Sequence, residues 1–153
     1  MIRAVAKLQQ QRPVRLMILG EGTKRPELEA LIGELGLTDS VAMPGFVSNP
    51  YAYMARASVF VLSSIWEGFG NVLVEAIAVG TPVVSTDCKS GPAEILENGK
   101  YGKLVAVGDV TGMAEAIAQT LDYPPAPTEL QRRAERFSTA KVLAEYRQIL
   151  QIT

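Results

Sequence analysis

Residues 67–75 read Glu-Gly-Phe-Gly-Asn-Val-Leu-Val-Glu, and the fold prediction starts from this stretch. Two carboxylates, Glu67 and Glu75, bracket a glycine-rich turn and the predicted start of a helix. The first N–H groups of a helix have no partner within it and favour an anion such as a phosphate. Gly68 and Gly70 allow the backbone to approach a ligand closely. The stretch therefore predicts a site for a ligand with both phosphates and hydroxyls, such as a sugar nucleotide.

Outward from this stretch, short apolar runs typical of buried strands alternate with amphipathic helical segments. Strands are predicted at 14–19, 41–43, 58–62, 82–86 and 102–105. Helices are predicted at 2–11, 26–35, 49–56, 71–79, 92–97 and from 109 onward, with Asn71, Asp109 and Ser138 as candidate N-caps. The alternation predicts an α/β fold, a Rossmann-like parallel sheet with helices on both faces.

The domain organisation follows from length and from one proline-rich segment. The chain has 153 residues, enough for one domain with a real core, so we expect a single domain over 1–153. Residues 123–127 contain three prolines and cannot continue a helix, which predicts a linker there. The C-terminal helices are then expected at 128–153.

Composition excludes several classes of function. The net charge of −1 predicts no nucleic-acid partner, and the absence of histidine excludes a Ser-His-Asp triad, a Cys-His dyad and the commonest metal ligand. Cys88 is the only cysteine and is expected to be a small, partly buried side chain rather than a nucleophile. No apolar run reaches transmembrane length and no signal peptide is evident, which predicts a cytoplasmic location.

Three loops are expected to form the site, because ligands of open parallel sheets bind beyond the carboxyl ends of the strands. They are residues 20–23, 45–49 and 63–71. Taken alone, Gly20 and Gly22 are equally typical of an ordinary strand-to-helix turn. The turn at Phe46 and Val47, taken alone, is at least as typical of simple turn packing. Glu75 taken alone is more typical of an acid that stabilises the helix dipole, and only the full 67–75 run with its glycines favours a functional role. A fourth segment, 90–94, opens another helix, and Glu94 there either complements the dipole, faces a sugar hydroxyl or orders the loop.

Taken together, these segments resemble the C-terminal, donor-binding domain of retaining glycosyltransferases of the GT-B fold, in the group-one (family four) class. The similarity extends from about residue 2 to residue 121, and the 67–75 segment is its most specific part. The matching segments occur in the order of that class: 19–22, 44–47, 67–75, 78–84, 91–95 and 99–105.

The resemblance implies an enzyme that moves a sugar from a nucleotide diphosphate, such as a UDP- or GDP-sugar, to an acceptor hydroxyl. Glu75 would accept hydrogen bonds from the ribose, and Glu67, the candidate catalytic residue, would contact the donor sugar without attacking it. The main-chain groups expected to approach the donor belong to Gly20, Gly22, Val47, Phe69, Gly70 and Asn71. No metal is expected, because the chain has no Asp-x-Asp motif.

The resemblance also implies missing partners. In that class the domain opens with a strand, a Gly-Arg turn and a later Lys, and an N-terminal acceptor-binding domain precedes it. This chain starts at Met1 within the following helix. We therefore expect low or no activity without an N-terminal acceptor domain or partner chain, and peripheral membrane contact only through a full-length enzyme. The alternative is a non-catalytic sugar-nucleotide-binding module that works with a separate polypeptide. A receiver- or flavodoxin-like signalling domain is disfavoured, since no acidic cluster follows the first strand.

Two structural expectations follow from the missing strand and the last helix. The strand would lie between 14–19 and 58–62, so these two segments are expected to pair directly or to receive a strand from another chain. An apolar stripe on the last helix predicts either a homodimer or packing on the domain's own sheet. Its members are Val142, Leu143, Tyr146, Ile149 and Leu150.

Overall fold

In the computed structural model, which describes residues 1–151, helices and parallel strands alternate as far as residue 122, and only helices follow. The strands are β1 (Leu16–Leu19), β2 (Val41–Gly45), β3 (Phe60–Leu62), β4 (Val83–Thr86) and β5 (Lys103–Val105). The first five helices are α1 (Ile2–Gln9), α2 (Arg25–Glu34), α3 (Pro50–Met54), α4 (Asn71–Ala78) and α5 (Pro92–Ile95). They are followed by α6 (Val110–Asp122), α7 (Pro127–Ala134), a 3₁₀ helix (Glu135–Phe137) and α8 (Thr139–Leu150).

Every predicted strand and helix up to α6 forms within a few residues of its expected position. Helix α6 ends at Asp122, directly before the predicted linker, and Pro127 is already the first residue of α7. Proline is well suited to that position, since the first turn of a helix needs no N–H from it.

The predicted helix caps have different outcomes. The cap at Asp109 is confirmed, because its Oδ1 accepts a hydrogen bond from the Gly112 amide at 2.8 Å. Ser138 directly precedes α8 but its side chain makes no cap hydrogen bond. The cap at Asn71 is wrong: Asn71 is the first helical residue, and the cap position is Gly70, with φ 89° and ψ 46°. Glycine adopts this left-handed conformation without the steric cost that a Cβ brings.

The strands form two parallel sheets, β1–β2 and β3–β4–β5. Alternate residues of β4 face opposite sides: Val83 belongs to a cluster with α4, α5 and α7, and Val84 to a cluster with α1 and α6. All four residues of β4 are buried, because it has a strand on each edge, whereas β3 is half-buried throughout. The predicted parallel sheet with helices on both faces is therefore confirmed.

Direct pairing of segment 14–19 with segment 58–62 is wrong. Among residues 1–151, β1 hydrogen-bonds to β2 and β3 to β4, and no ladder joins the two sheets. Helix α1 spans the gap, with Ala4 and Leu8 in the cluster beneath β4 and β5 and Ile2 in the cluster beneath β1. Closing the gap would displace this packing. Receipt of a strand from another chain stays a prediction.

The apolar stripe of α8 does not pack on the sheet. No residue of α8 is buried, and Leu143, Tyr146, Ile149 and Leu150 are 51–76% exposed. The homodimer expected from this stripe stays a prediction. Among residues 1–151, no helix combines the length and hydropathy needed to cross a bilayer.

Thr81 allows a test of the contact between α3 and the strand that follows α4. Thr81 is 2% exposed, and its hydroxyl donates to the Met54 carbonyl oxygen at 2.7 Å. We expect Thr81→Val to lower the free energy of unfolding by about 0.5–1.5 kcal/mol, because a buried hydrogen bond is lost while the Met54 carbonyl oxygen keeps the Ala57 amide as a donor. Thr128→Val, at an exposed position of α7, is the control and should change it by less than about 0.5 kcal/mol. Urea denaturation measures both; equal effects would show that this hydrogen bond adds nothing to stability.

Candidate functional site

The loops that follow β1 and β2 are joined to each other. The Gly20 amide donates to the Gly45 carbonyl oxygen at 2.8 Å, and both glycines have positive φ, 103° and 83°. Arg25 donates to the Met43 carbonyl oxygen at 2.6 Å and forms an ion pair with Glu21. A Cβ on Gly45 would stand 2.7 Å from Glu21 Oε1, so that carboxylate lies close against the β2 loop. The structure thus brings loops 20–23 and 45–49 together.

Two other predicted residues belong to these loops. Gly22 is exposed in the turn before α2, and Val47 is half-buried after β2. Glycine has no side chain and the side chain of valine is apolar, so any hydrogen bond from these two residues to a ligand is made by the backbone. Phe46 beside Val47 is 81% exposed.

The loop that follows β3 holds Glu67 in a defined place. Ser64 Oγ donates to Glu67 Oε1 at 2.6 Å, and Thr86 Oγ1 donates to the Ser64 carbonyl oxygen, also at 2.6 Å. Thr86 is 4% exposed at the end of β4, so the loop is anchored to the most buried strand of the sheet. The half-buried Glu67 carboxylate therefore has one fixed partner and one oxygen free of it.

Helix α4 begins with free amides. The first hydrogen bond of its turn runs from the Leu73 amide to the Gly70 carbonyl oxygen at 2.9 Å. The amides of Asn71 and Val72 precede it and have no acceptor within the helix, and no side chain caps them. Glu75 is half-buried one turn further along. Along the chain, Glu67 thus precedes and Glu75 follows a helix start that favours an anion.

Phe69 links this loop to the loop that follows β4. A Cβ on Gly91, where φ is 91°, would lie 1.6 Å from the Phe69 carbonyl oxygen, so the two backbones are in direct contact. The Phe69 ring packs edge-on against Phe137 of the 3₁₀ helix, with 5.7 Å between ring centroids. Glu94 is exposed in the first turn of α5 and forms no side-chain hydrogen bond.

Comparison with known proteins assigns the family. Residues 1–137 match the family described as glycosyl transferases group 1. The chain belongs to this family. The expected fold and family are therefore confirmed, and the loops described above lie within the matched part of this group 1 glycosyltransferase chain.

Two relatives illustrate the match. The chain is 43% identical over 122 residues to the N-acetylgalactosamine-N,N'-diacetylbacillosaminyl-diphospho-undecaprenol 4-alpha-N-acetylgalactosaminyltransferase of Campylobacter jejuni, covering 80% of this chain and 33% of the relative. It is 36% identical over 155 residues to the lipopolysaccharide core biosynthesis glycosyltransferase LpsE of Rhizobium meliloti, covering 98% and 44%. The chain thus spans 33% of the length of the first relative and 44% of the length of the second.

Solved structures agree on the fold. A crystal structure of Anabaena HepE in complex with UDP and glucose has a TM-score of 0.86 and 26% identity, covering 99% of this chain and 44% of that one. The apo form of the lipopolysaccharide outer core galactosyltransferase WaaB has a TM-score of 0.84 at 22% identity, covering 99% and 45%. These neighbours are GT-B enzymes.

Several residues that shape the site of this glycosyltransferase chain were not predicted from the sequence. Ser64 precedes Glu67 by three residues, a spacing that suits a side-chain contact within a turn, and this was the available signal. Thr86 gave a weaker signal as a polar residue at the end of a buried strand. The contacts of Gly91 and Phe137 with Phe69 join segments that are distant in sequence, and no local sequence pattern predicts them.

Gly91 allows a test of the contact between the two loops. We expect Gly91→Ala to lower the free energy of unfolding by about 3 kcal/mol or more, because the methyl group would collide with the Phe69 backbone. Gly108→Ala is the matched control: φ is 87° there and no atom lies within 4 Å of the added Cβ. In the control, the free energy of unfolding should fall by only about 1–2 kcal/mol, which is the cost of placing alanine in the left-handed conformation. Urea denaturation of both variants decides; equal losses would mean that the loops do not touch as described.

Proposed function

We propose that this chain is the nucleotide-sugar-binding half of a retaining glycosyltransferase that moves a sugar from a nucleotide diphosphate to an acceptor hydroxyl. The observation that supports this most directly is the open start of α4 between Glu67 and Glu75. Free amides at a helix N-terminus suit a diphosphate, and a carboxylate on either side suits two sets of hydroxyls. Family membership supports the reaction class.

Each site residue has a proposed role. The amides of Phe69, Gly70 and Asn71 receive the sugar and diphosphate, while Glu75 accepts hydrogen bonds from the ribose. Glu67, held by Ser64, accepts hydrogen bonds from the donor sugar and is the candidate catalytic residue. Gly20 and Gly22 let the first loop approach the donor, and the Val47 backbone flanks the base. Such a site works by holding the donor and stabilising the departing diphosphate.

The donor is proposed to be a UDP- or GDP-sugar that binds without a metal ion. HepE, whose structure covers nearly all of this chain, was crystallised with UDP and glucose, which supports a UDP-sugar. The names of the Campylobacter and Rhizobium relatives refer to a diphospho-undecaprenol-linked acceptor and to lipopolysaccharide core biosynthesis. They support an acceptor from cell-surface polysaccharide or glycolipid synthesis, handled at the cytoplasmic side of a membrane.

The acceptor side is proposed to come from an N-terminal domain or a partner chain. The chain spans 33–44% of the two relatives described above, so a large part of those proteins lies outside the match. Ile65 and Trp66, next to Glu67 in the site loop, are 81% and 71% exposed. Large apolar side chains beside a binding site suit a surface that another domain covers. We propose low or no transfer activity for the chain alone, with any membrane contact made by the complete enzyme.

A second candidate function is a non-catalytic sugar-nucleotide-binding module that works with a separate chain. The limited coverage of the relatives favours this alternative as much as it favours a half-enzyme. A transfer assay that combines this chain with the N-terminal half of LpsE, the Rhizobium relative, separates the two. Sugar transfer in the mixture supports the half-enzyme, and binding of UDP-glucose with no transfer supports the module.

Glu75 is expected to set the affinity for the nucleotide. Glu75→Ala should weaken UDP binding by about 1–3 kcal/mol, because the ribose hydroxyls lose a charged acceptor. Glu115→Ala, at an exposed position of α6 outside the site loops, is the control and should bind as the unaltered chain does. Isothermal titration calorimetry with UDP and with GDP, each with and without EDTA, gives the affinities. Unchanged affinity in a folded Glu75→Ala variant would rule out the ribose contact.

Glu67 is expected to recognise the sugar rather than the nucleotide. Glu67→Ala should leave UDP affinity unchanged and weaken UDP-glucose binding, because only the complete donor presents hydroxyls to this carboxylate. Ser64→Ala should also weaken UDP-glucose binding, but by less, because the Glu67 carboxylate is still present and has lost only its hydrogen bond from Ser64. Calorimetry with the two ligands on one protein preparation gives the comparison. Equal weakening of both ligands would assign Glu67 to the nucleotide or to the fold instead.

A further inference from the structure

Phe69, in the middle of the candidate site loop, is held by two contacts from other parts of the chain. Its carbonyl oxygen lies against the backbone of Gly91, and its ring lies edge-on to the ring of Phe137. Gly91 directly precedes α5, and Phe137 ends the 3₁₀ helix that follows α7. The place of the loop therefore depends on how α5 and the 3₁₀ helix are fixed to each other.

One side chain fixes both of these elements. Arg133 near the end of α7 donates from Nε to the Ile95 carbonyl oxygen at 2.9 Å and from Nη2 to the Glu94 carbonyl oxygen at 2.5 Å. The Glu94 carbonyl oxygen also accepts from the Glu97 amide at 3.2 Å, so the guanidinium gives it a second donor and binds the Ile95 carbonyl at the end of α5. The central carbon of the Arg133 guanidinium lies 4.8 Å from the centre of the Phe137 ring, within the range of a cation–π contact.

Both contacts of Arg133 lead to Phe69. Through the carbonyls of α5, Arg133 fixes the helix that directly follows Gly91, and Gly91 supports the Phe69 backbone. Through its contact with Phe137, it fixes the ring that packs on the Phe69 side chain. We propose that Arg133 is a positioning residue that sets the place of the loop 67–71 in front of α4. Its effect on ligand binding rests on the proposed function, whereas its effect on the loop does not.

Lysine cannot replace this arginine. The planar guanidinium presents two donors to two carbonyls while its face lies over an aromatic ring, whereas an ammonium is a single point charge. Arg133→Lys keeps the charge and should still lose the loop position, which separates positioning from simple charge balance.

Lys100 offers a matched control. Its Nζ also lies over an aromatic ring of this cluster, 5.0 Å from the centre of the Tyr101 ring, while Arg133 lies 5.5 Å from the same ring. Its hydrogen bond goes to the Glu97 carboxylate at 2.7 Å, which lowers the pKa of that exposed group. Lys100→Ala thus removes a neighbouring cation without touching the Glu94 and Ile95 carbonyls or Phe137.

The test is a comparison of amide resonances in ¹⁵N-labelled chain without ligand. Arg133→Ala and Arg133→Lys should shift the amides of residues 67–72, far from the substituted position in sequence, while Lys100→Ala should leave them in place. Phe137→Leu, which keeps a large apolar side chain, should shift the same amides and serves if the Arg133 variants do not fold. Unshifted loop amides in a folded Arg133 or Phe137 variant would overturn the proposal.

Ligand affinity is the second measurement. At a temperature at which all variants are folded, Arg133→Ala should weaken UDP-glucose binding about tenfold, with Lys100→Ala unchanged. If the unaltered chain binds neither UDP nor UDP-glucose, the proposed function fails, and the amide shifts still decide whether Arg133 positions the loop. Shifted amides with unchanged affinity would overturn the link between Arg133 and the binding site.

Discussion

The backbones of Phe69 and Gly91 touch so closely that only a glycine fits at the second position. A Cβ there would stand 1.6 Å from the Phe69 carbonyl oxygen, and the local φ of 91° is itself one that other residues adopt at a cost. This contact joins the loop after β3 to the loop after β4. Because the first loop has this fixed support, Gly70 and the start of α4 occupy a defined place, and the arrangement of Glu67 and Glu75 around the helix start depends on it.

The rigid support behind these loops is β4. It is the one strand of the described residues with a neighbour on each edge, and all its residues are buried. Thr86, at its end, holds Ser64, and Ser64 holds Glu67. Two hydrogen bonds, one to the Ser64 main chain and one from its side chain, thus connect the most buried strand to a half-buried carboxylate. The loops after β1 and β2 are held separately, by the Gly20–Gly45 hydrogen bond and by the contact of Arg25 with the Met43 carbonyl oxygen.

The split between the two sheets matters for the proposed function. Helix α1 packs against clusters under both sheets, so it holds them together without a backbone ladder between β1 and β3. Between the two sheets there is therefore a boundary held by side-chain packing. Such a boundary is less stiff than a continuous sheet, because apolar contacts are less directional than a ladder of hydrogen bonds. The proposed site residues follow strands of both sheets: Gly20, Gly22 and Val47 follow β1 and β2, and Glu67 and Glu75 follow β3.

The sequence by itself determined the order and type of the elements, the parallel α/β class and the separation of Glu67 in a loop from Glu75 in a helix. These features depend on hydrophobic periodicity and turn residues, which act over short windows. Only the tertiary structure decided that Gly70 rather than Asn71 occupies the cap position, that β1 and β3 remain apart, and that Arg133 and Phe137 support Phe69. The reason is physical: contacts between residues about 40 or more positions apart depend on how the whole core packs, and no local pattern encodes them.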